Sequence, residues 1–293
     1  MLNARSGLVG DQMYLGGSRM RVFHMNGCGN RFAVFDGRKS PWRKSADEIR
    51  HVANPQDGKG FDQIIGLESS MRGDVFMRIW NADGSEVAAC GNASRCVGWL
   101  MQRETGQSEI KIETEAGLLK SSAGAGDAIT VDMGSPLLTW EHIPLAEKMD
   151  TRFVDLKIGP VDKPVLSTPS CVNMGNPHAV FFVDDVSAYD IPAVGPLVEW
   201  HPMFPEGVNV GFAQVIDKET IRLRVWERGA GLTLACGTGA CAAAVASARL
   251  GRTGRKVKMI LDGGELVINW RDTDDHVLMT GPVELEAELE IAG

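Results

Sequence analysis

Residues 77–91 read MRIWNADGSEVAACG, and residues 223–237 read LRVWERGAGLTLACG. The two stretches align without a gap, so that Cys90 and Cys236 stand 146 residues apart and each is followed by glycine. That spacing is half of the 293-residue chain. A match of this length at this spacing indicates that the chain contains two copies of one unit.

The same offset holds well upstream of each cysteine. Residues 29–35, GNRFAVF, align with residues 175–181, GNPHAVF, and five of the seven positions are identical. Downstream the offset drifts to 147, which places Gly134 over Gly281. Each copy therefore spans roughly 110 to 120 residues, a size that supports its own core. Because pseudo-symmetric copies present equivalent side chains from opposite directions, we predict that the two cysteines face each other across a cleft.

The repeat also predicts the limits of the parts. We expect an N-terminal extension over residues 1–19, a first half formed by 20–136 together with 282–293, and a second half over 137–281. The final segment, VELEAELEI from Val283, reads as a strand that crosses back to complete the sheet of the first half.

The composition is that of an ordinary globular protein, with 44% hydrophobic and 23% charged residues. The net charge of −8, with no concentrated run of Lys and Arg, argues against a nucleic-acid partner. No apolar stretch approaches the roughly 18 residues that a membrane helix requires. Six irregularly spaced cysteines, without a secretory leader, indicate reduced thiols in a cytoplasmic protein that acts on a small molecule. The oligomeric state stays open, with a homodimer among the alternatives.

Hydrophobic periodicity predicts an α/β fold of the α+β type. Helical patterns follow each cysteine, over 91–106 and 237–251, and a glycine closes each one. Another helix starts after Ser45, where Glu48 completes the spacing of a capping box. The connections between strands look short, so each copy is predicted to be a mostly antiparallel sheet around a long helix. The predicted strands are 21–24, 32–36, 109–114, 128–133, 179–183 and 220–226.

In both copies a strand ends in Ala-Cys-Gly and a helix starts at once, so Cys90 and Cys236 lie at helix N-termini. The positive end of the helix dipole favours thiolate, which predicts a thiol pKa lowered from about 8.5 toward neutrality. The free backbone N–H groups also form a site for a carboxylate. Asn92 and Thr238, two residues past each cysteine, can add side-chain contacts there.

A thiolate and a thiol on opposite faces of one carbon make a two-base isomerase, which inverts stereochemistry. An amino-acid α-hydrogen is far less acidic than a thiol, and each pKa unit of mismatch costs about 1.4 kcal/mol. The carbanion must therefore be stabilised. No cofactor motif is recognisable, so we expect neither cofactor nor metal. The expected source of stabilisation is the pair of helix N-termini, aimed at the α-carboxylate in a site closed to water.

Five segments resemble the signature sequences of the diaminopimelate epimerase family: MNGCGN, NADGSEVAACGN, MGNPH, GVNVGF and WERGAGLTLACGTGACA. The resemblance runs from about Met20 to Pro282. Members of that family interconvert L,L- and meso-diaminopimelate without pyridoxal phosphate, in lysine and peptidoglycan synthesis. The resemblance implies two similar halves, each a strongly curved antiparallel sheet or barrel around a central helix.

The resemblance also implies roles for individual residues. It makes Cys90 and Cys236 the catalytic acid/base pair, tuned by His178 and Glu227. The reacting carboxylate is assigned to Gly91, Asn92, Gly237 and Thr238. The family's other substrate-binding positions fall on Asn30, Gln63, Asn81, Asn176, Asn209, Glu227 and Arg228.

The repeat is unsymmetrical at one place that bears on the substrate. Asn81 aligns with Glu227, and Ala82 aligns with Arg228. A substrate with a second charged end would make such an unsymmetrical demand. We therefore expect Arg228 to bind a distal carboxylate through a bidentate pair.

Two motifs depart from the usual family pattern. The family commonly reads GxGND where residues 28–31 read CGNR, so that Arg31 replaces an acid. The family's CGNGARC has become CGNASRC, with Ala93 and Ser94. Both changes leave Cys90 and its Gly-Asn intact, so we expect them to affect loop conformation and partner contacts more than the reaction.

The cysteine spacings and the glycine-rich segment also allow interpretations other than this catalysis. The C-x5-C and C-x4-C spacings do not match the short paired spacing of zinc ligands. Residues 237–242, GTGACA, fit a dinucleotide-binding fingerprint, but the chain shows no evident βαβ alternation. Proline and hydroxyproline racemases are the rivals within the isomerases, and they lack a counterpart of the Glu227-Arg228 pair. Four cysteines are interpreted as small buried hydrophobes: Cys28, Cys96, Cys171 and Cys241.

Overall fold

One succession of strands and helices occurs twice along the chain. The computed structural model describes residues 19–54, 60–124 and 126–292. The predicted N-terminal extension therefore lies outside the described residues, apart from Arg19. The first copy contains β1 (Arg19–Gly27), β2 (Asn30–Asp36), α1 (Ala46–Ala53), β3 (Gln63–Glu68), β4 (Val75–Asn81), β5 (Glu86–Val87), α2 (Gly91–Thr105), β6 (Glu109–Thr114), β7 (Gly117–Ala123) and β8 (Ile129–Asp132).

The second copy follows a small two-stranded sheet formed by β9 (Lys157–Ile158) and β10 (Leu166–Ser167). It contains β11 (Ser170–Asn173), β12 (Pro177–Phe182), α3 (Ile191–Glu199), β13 (Asn209–Asp217), β14 (Thr220–Glu227), β15 (Gly231–Thr233), α4 (Gly237–Arg249), β16 (Lys256–Leu261), β17 (Gly264–Trp270) and β18 (Val277–Gly281). The chain then adds β19 (Glu284–Ala292).

Strand pairing repeats together with the elements. Most pairs are antiparallel, as predicted, but β2 pairs parallel with β3 and β12 pairs parallel with β13. The strands that flank the central helices, β4 with β6 and β14 with β16, are parallel too. The expectation that the chain lacks βαβ alternation is therefore wrong. Each parallel pair requires a crossover, and α1 to α4 lie in those crossovers.

The halves join through paired strands. β8 runs antiparallel to β18, with Ile129 opposite Gly281. β19 returns to pair antiparallel with β1, with Met20 opposite Ile291, so the predicted final strand is confirmed. The limits of the two domains stay a prediction.

The central helices lie in the cores of the two halves. In β2, Phe32 and Val34 belong to the cluster around α2, whereas Ala33 and Phe35 pack in the cluster that contains Ile49 of α1. Because both faces of this strand are buried, its sequence is apolar throughout rather than alternating. The second half repeats the arrangement, with α4 in the inner cluster and α3 in the outer one. The fold prediction of two pseudo-symmetric halves, each a mostly antiparallel sheet around a helix, is confirmed. Within the described ranges, no helix combines the length and apolarity needed to cross a membrane.

The helix starts show what the sequence could and could not reveal. The capping box at α1 is confirmed, because Glu48 N donates to Ser45 Oγ and Ser45 N donates to the Glu48 carboxylate. The sequence analysis missed α3, which begins after Asp190 and contains Pro196. The Asp190 carboxylate accepts a hydrogen bond from Ala193 N and so caps the helix.

Candidate active site

Both predicted catalytic cysteines are the N-cap residues of central helices. Cys90 precedes α2 and Cys236 precedes α4, and each has extended backbone dihedral angles. The Cys236 thiol accepts a hydrogen bond from Gly239 N at 3.3 Å and is 4% exposed. The Cys90 residue is half-buried, although its sulfur is enclosed enough for burial to dominate its pKa. The predicted placement of the thiols at two helix N-termini is therefore what the structure shows.

The starts of the two helices meet at Met279 on β18. A Cβ atom added to Gly91 would lie 2.7 Å from Met279 Cε, and one added to Gly237 would lie 3.0 Å from Met279 Sδ. The same atom on Gly237 would lie 3.2 Å from Asn92 Oδ1. Glycine after each cysteine thus allows the two N-termini to approach the same methionine.

Glu227, at the end of β14, acts on both thiols. Its carboxylate accepts a hydrogen bond from the Thr233 hydroxyl and lies within hydrogen-bonding reach of the Cys236 thiol. Burial raises the pKa of Glu227. The negative charge of Glu227 in turn raises the pKa of Cys90 and of Cys236.

The thiol pKa values run opposite to the sequence prediction. Burial raises the pKa of Cys90, although the N–H groups of Ala93 and Asn92 oppose the effect. Burial and Glu227 raise the pKa of Cys236 well above its ordinary range, against the Thr238 hydroxyl and a backbone N–H. The expectation of a lowered pKa is therefore wrong. Loss of hydration outweighs the helix N-terminus when the thiol is enclosed.

A chain of polar contacts leads to Cys236. His178 Nε2 lies 3.0 Å from Asn176 Oδ1 and 3.1 Å from Thr238 Oγ1. Thr238 Oγ1 lies 3.6 Å from the Cys236 sulfur. Burial, with a contribution from Arg228, lowers the pKa of His178 to about 3, so its imidazole is neutral. His178 therefore reaches the thiol through the Thr238 hydroxyl.

A different chain surrounds the first helix start. Asn92 Nδ2 donates to Asn30 Oδ1, and Asn92 Oδ1 accepts a hydrogen bond from Arg95 Nη1 at 2.8 Å. Farther along the sheet, Gln63 Nε2 donates to Asn81 Oδ1 at 3.0 Å. The structure thus brings the predicted amides of the first half into two hydrogen-bonded pairs. Sequence reasoning did not single out Arg95.

The loop after β14 is held by buried polar groups. Arg228 N donates to Asn209 Oδ1 at 2.9 Å, and Arg228 Nη1 donates to the Glu206 carbonyl at 2.7 Å. The buried Glu199 carboxylate accepts hydrogen bonds from Trp226 Nε1 at 2.6 Å and from a backbone N–H of the loop at 2.8 Å. Sequence reasoning missed Glu199. The signal was present, because the 146-residue offset aligns Glu199 with an alanine in the first copy.

Comparison with known proteins shows the family of this chain. The family model for diaminopimelate epimerase matches residues 22–139 and 170–286. The chain belongs to the diaminopimelate epimerase family. It is 53% identical to the diaminopimelate epimerase of Afipia carboxidovorans over 268 residues, which cover 90% of this chain and 92% of the relative. It is 49% identical to that of a Caulobacter species over 271 residues, 89% and 94% of the two chains. Epimerases are isomerases, the enzyme class that the sequence predicted.

Solved structures share the fold at lower identity. A hydroxyproline epimerase from Agrobacterium vitis with bound trans-4-hydroxy-L-proline superposes with a TM-score of 0.64 at 18% identity, over 93% of this chain and 91% of that one. A phenazine biosynthesis protein of the PhzF family from Bacillus anthracis gives 0.63 at 15% identity, over 94% and 99%. These likenesses support the two-halved fold.

Arg31, which stands where the family commonly has an acid, pairs with an acid on the last strand. Arg31 forms a salt bridge with Glu286 on β19 at 2.8 Å, and Arg31 Nη1 donates to the Gly60 carbonyl. The base that replaces the usual acid thus ties β2 to the last strand. In the preceding turn Cys28 and Gly29 both have positive φ, 61° and 85°, as a two-residue hairpin turn of type I′ requires.

The departure after Cys90 is also accommodated. Ser94 lies fully buried in the first turn of α2, and its hydroxyl donates to the Cys90 carbonyl at 2.8 Å. The four remaining cysteines are buried, as predicted. Burial raises the pKa of Cys96 and of Cys241 to about 12, so these thiols stay protonated. Over residues 19–54, 60–124 and 126–292, no group of three or more acidic, His or Cys side chains is arranged to hold a metal.

Proposed function

We propose that this protein interconverts L,L- and meso-diaminopimelate, with Cys90 and Cys236 as its two proton-transfer groups. The observation that carries the proposal is the meeting of two cysteine-capped helix N-termini at Met279. Membership of the epimerase family supports the substrate and a place in lysine biosynthesis.

The chemistry needs one thiolate and one thiol. A thiolate removes the α-hydrogen as a proton, and the electron pair left on carbon is delocalised into the α-carboxylate. The opposite thiol then donates its proton to the other face of the carbon, which inverts the centre. The N–H groups that follow Cys90 and Cys236, in Gly91-Asn92 and Gly237-Thr238, are proposed to hold that carboxylate.

The raised thiol pKa values mean that forming the thiolate is a step in itself. Glu227 lies within hydrogen-bonding reach of the Cys236 thiol, and burial raises the pKa of Glu227. A carboxylate with a raised pKa is a stronger base toward a neighbouring thiol. We assign Glu227 the role of accepting that proton, and His178 the role of orienting the Thr238 hydroxyl beside the sulfur.

The distal end of the substrate is assigned to the loop after β14. Arg228 is exposed, and Asn209 and the Glu206 carbonyl hold its backbone and one guanidinium nitrogen. A held guanidinium suits bidentate binding of a carboxylate. The amides Asn30, Gln63, Asn81 and Asn176 are assigned to the remaining polar groups of the substrate.

We extend the proposal to the domains, the cellular location and the assembly of the protein. The halves, 20–136 with 282–293 and 137–281, act as two domains that close on the substrate. The enzyme works in the cytoplasm on a free small molecule. Its assembly is a homodimer, which sedimentation equilibrium of the purified protein tests directly.

The test is proton NMR of the reduced protein with L,L-diaminopimelate in D2O, without pyridoxal phosphate. We expect loss of the α-hydrogen signal together with appearance of the meso isomer. Both should disappear in Cys90→Ala and in Cys236→Ala, whereas Cys171→Ala, which removes a buried thiol of the outer core, should retain them.

Three results would contradict the proposal. Exchange with proline or hydroxyproline, but not with diaminopimelate, would keep the two-thiol chemistry and replace the substrate. Full exchange in either catalytic variant would overturn the two-thiol chemistry itself. Quenching of tryptophan fluorescence by NAD(H), with no exchange of either amino acid, would instead favour a dinucleotide-binding protein.

A further inference from the structure

The first turns of α2 contain a fully buried arginine. Arg95 follows Cys90 by five residues and is 0% exposed. Its Nη1 donates to Asn92 Oδ1 at 2.8 Å and lies 3.5 Å from Met279 Sδ. Its Nε and Nη2 find no hydrogen-bond partner among the described residues, and no described carboxylate forms a salt bridge with it. Among the described residues, the guanidinium thus has one hydrogen bond to oxygen, a weak one to sulfur and no carboxylate partner, beneath the two helix starts.

Such a charge is costly to bury. Removing an ion from water without a partner costs free energy that packing does not return, and a guanidinium does not escape the cost by losing its proton. The surrounding backbone nevertheless leaves room for it. A Cβ atom added to Gly281 would lie 3.1 Å from Arg95 Nε and 3.2 Å from Arg95 Cζ. A fold that retains this arrangement has a use for the positive charge.

The repeat shows that this charge belongs to one half only. The 146-residue offset aligns Arg95 with Cys241 of α4, whose thiol is neutral because burial raises its pKa. In the second half, Thr238 is oriented by the neutral His178. Arg95 is therefore the fixed cation at the convergence of the helices, and it contacts Asn92, the residue that follows Cys90-Gly91.

We propose that Arg95 is a positioning residue that fixes the Asn92 amide and supplies the positive charge against which the α-carboxylate and the Cys90 thiolate are stabilised. The inference rests on the proposed function for the carboxylate. It does not rest on it for the thiolate, because the Cys90 thiol can be titrated without substrate. Arg95 donates to the oxygen of the Asn92 amide, and the amide nitrogen donates to Asn30. These two hydrogen bonds fix the orientation of the amide that is proposed to contact the carboxylate.

The charges around Cys90 give the direction of the expected effect. Glu227 of β14 raises the pKa of Cys90, whereas Arg95 of α2 lowers it. Arg95 itself faces the thiols Cys28, Cys96 and Cys241 as well, from the β1–β2 turn, α2 and α4. Removing the guanidinium leaves only the N–H groups of Ala93 and Asn92 to oppose burial and the carboxylate, so the titration of Cys90 should move to higher pH.

The experiment compares Arg95→Met, Arg95→Lys and the matched control Arg249→Met in the full-length enzyme. Arg249 is a partly buried arginine at the end of the other central helix, and it donates to Thr151 Oγ1 and to a backbone carbonyl far from the helix start. Three readouts are taken: kcat and KM for epimerisation, thermal unfolding, and the pH dependence of Cys90 alkylation by iodoacetamide without substrate, followed on the Cys90 peptide by mass spectrometry.

We expect Arg95→Met to lower kcat/KM about 100-fold, in the range seen when a preorganised electrostatic contact is lost. Its midpoint for Cys90 alkylation should shift to higher pH, and its Tm should be unchanged or higher, because an unpaired buried charge has been removed. Arg95→Lys should recover part of the activity and the alkylation profile. Arg249→Met should lower Tm without shifting the profile.

Distinct outcomes overturn the inference. An activity loss in Arg95→Met that follows a fall in Tm, with an unshifted alkylation profile, would show a structural role. If Arg95→Met does not fold, Arg95→Gln replaces it as the uncharged variant, and a Cys90 alkylation profile in Arg95→Gln that is the same as in wild type would overturn the inference. If the wild-type enzyme does not epimerise diaminopimelate, the proposed substrate is wrong. The alkylation shift is measured without substrate, so it tests the role of Arg95 independently of the proposed function.

Discussion

The two cysteines occupy equivalent places in the repeat, but almost none of their polar surroundings are the same. Beside Cys90, Asn92 is held by the charged Arg95. Beside Cys236, Thr238 is held by the neutral His178. The helix starts, the following glycines and the strand pairing are retained in both halves. The comparison teaches that the backbone frame is common to the halves, whereas the electrostatics are specific to each.

The difference has a chemical use. A reaction that takes a proton on one face and returns it on the other needs two thiols in similar positions but in different protonation states. Arg95 favours the thiolate of Cys90 against burial and the charge of Glu227, whereas Cys236 has no such cation among the described residues and lies within hydrogen-bonding reach of Glu227, the group assigned to accept its proton. Identical surroundings would give both thiols the same pKa, and nothing would then favour one as the thiolate and the other as the thiol.

The largest effect is expected when the charge of Glu227 is removed, because Glu227 aligns with the uncharged Asn81 and distinguishes the second half from the first. We expect Glu227→Gln to lower kcat by 100-fold or more, since acid/base groups contribute on the order of 10² to 10⁴ in rate. Because Glu227 raises the pKa of both thiols, their alkylation midpoints should move to lower pH. The surface variant Glu265→Gln is the control, because Glu265 is exposed and pairs with the exposed Lys258. An unchanged kcat would remove Glu227 from the mechanism.

Reactivity of the wild-type thiols sharpens the comparison without mutation. Cys90 is half-buried, whereas Cys236 is 4% exposed and has the more strongly raised pKa. Alkylation requires an accessible thiolate, so iodoacetamide should modify Cys90 at least about tenfold faster than Cys236. Peptide mass spectrometry at short reaction times measures both rates. Equal rates, or faster loss of Cys236, would contradict the description of the two sites.

The next prediction concerns Glu199, which holds the Arg228 loop and has only Ala53 as its counterpart. We expect Glu199→Gln to raise KM for diaminopimelate about tenfold with a smaller change in kcat, because the loop that carries Arg228 loses charge-assisted hydrogen bonds. Trp226→Phe should reproduce part of the effect by removing one donor. Trp80→Phe, at the equivalent place in the first half, is the control. A fall in kcat at constant KM would argue against a role at the distal end.

The sequence predicted the frame of the site because the frame is repeated. The pairs Cys90/Cys236 and Asn30/Asn176 align by counting along the chain, and their helices follow from local periodicity. The same counting would have found α3, since its residues align with α1. Local propensity concealed that helix, because Pro196 lies inside it and disfavours helix on its own. Burial of one face of α3, through Ile191, Gly195, Val198 and Glu199, and the Asp190 cap compensate.

The electrostatics of the site could not be predicted in the same way. The sign of a thiol pKa depends on how completely water is excluded, and no local pattern shows that Cys236 is enclosed. Arg95 looks like an ordinary helical arginine until packing places it at the centre of the molecule. Glu199 and Trp226 are 27 residues apart, and only the fold brings carboxylate and indole together.

The smallest predicted effect is on stability, and it comes from removing the caps of the outer helices α1 and α3. Ser45→Ala removes the side-chain half of the capping box of α1, and Asp190→Ala removes the cap of α3. Each should lower the free energy of unfolding by about 1 kcal/mol, which urea unfolding can measure. Asp190→Ala should cost the more, because α3 contains proline residues and depends more on its cap, whereas α1 has good helix formers. Equal losses would show that packing against the outer cores, rather than the caps, stabilises both helices. Neither change should shift the alkylation midpoints of Cys90 or Cys236, because both caps lie outside the polar contacts that set them.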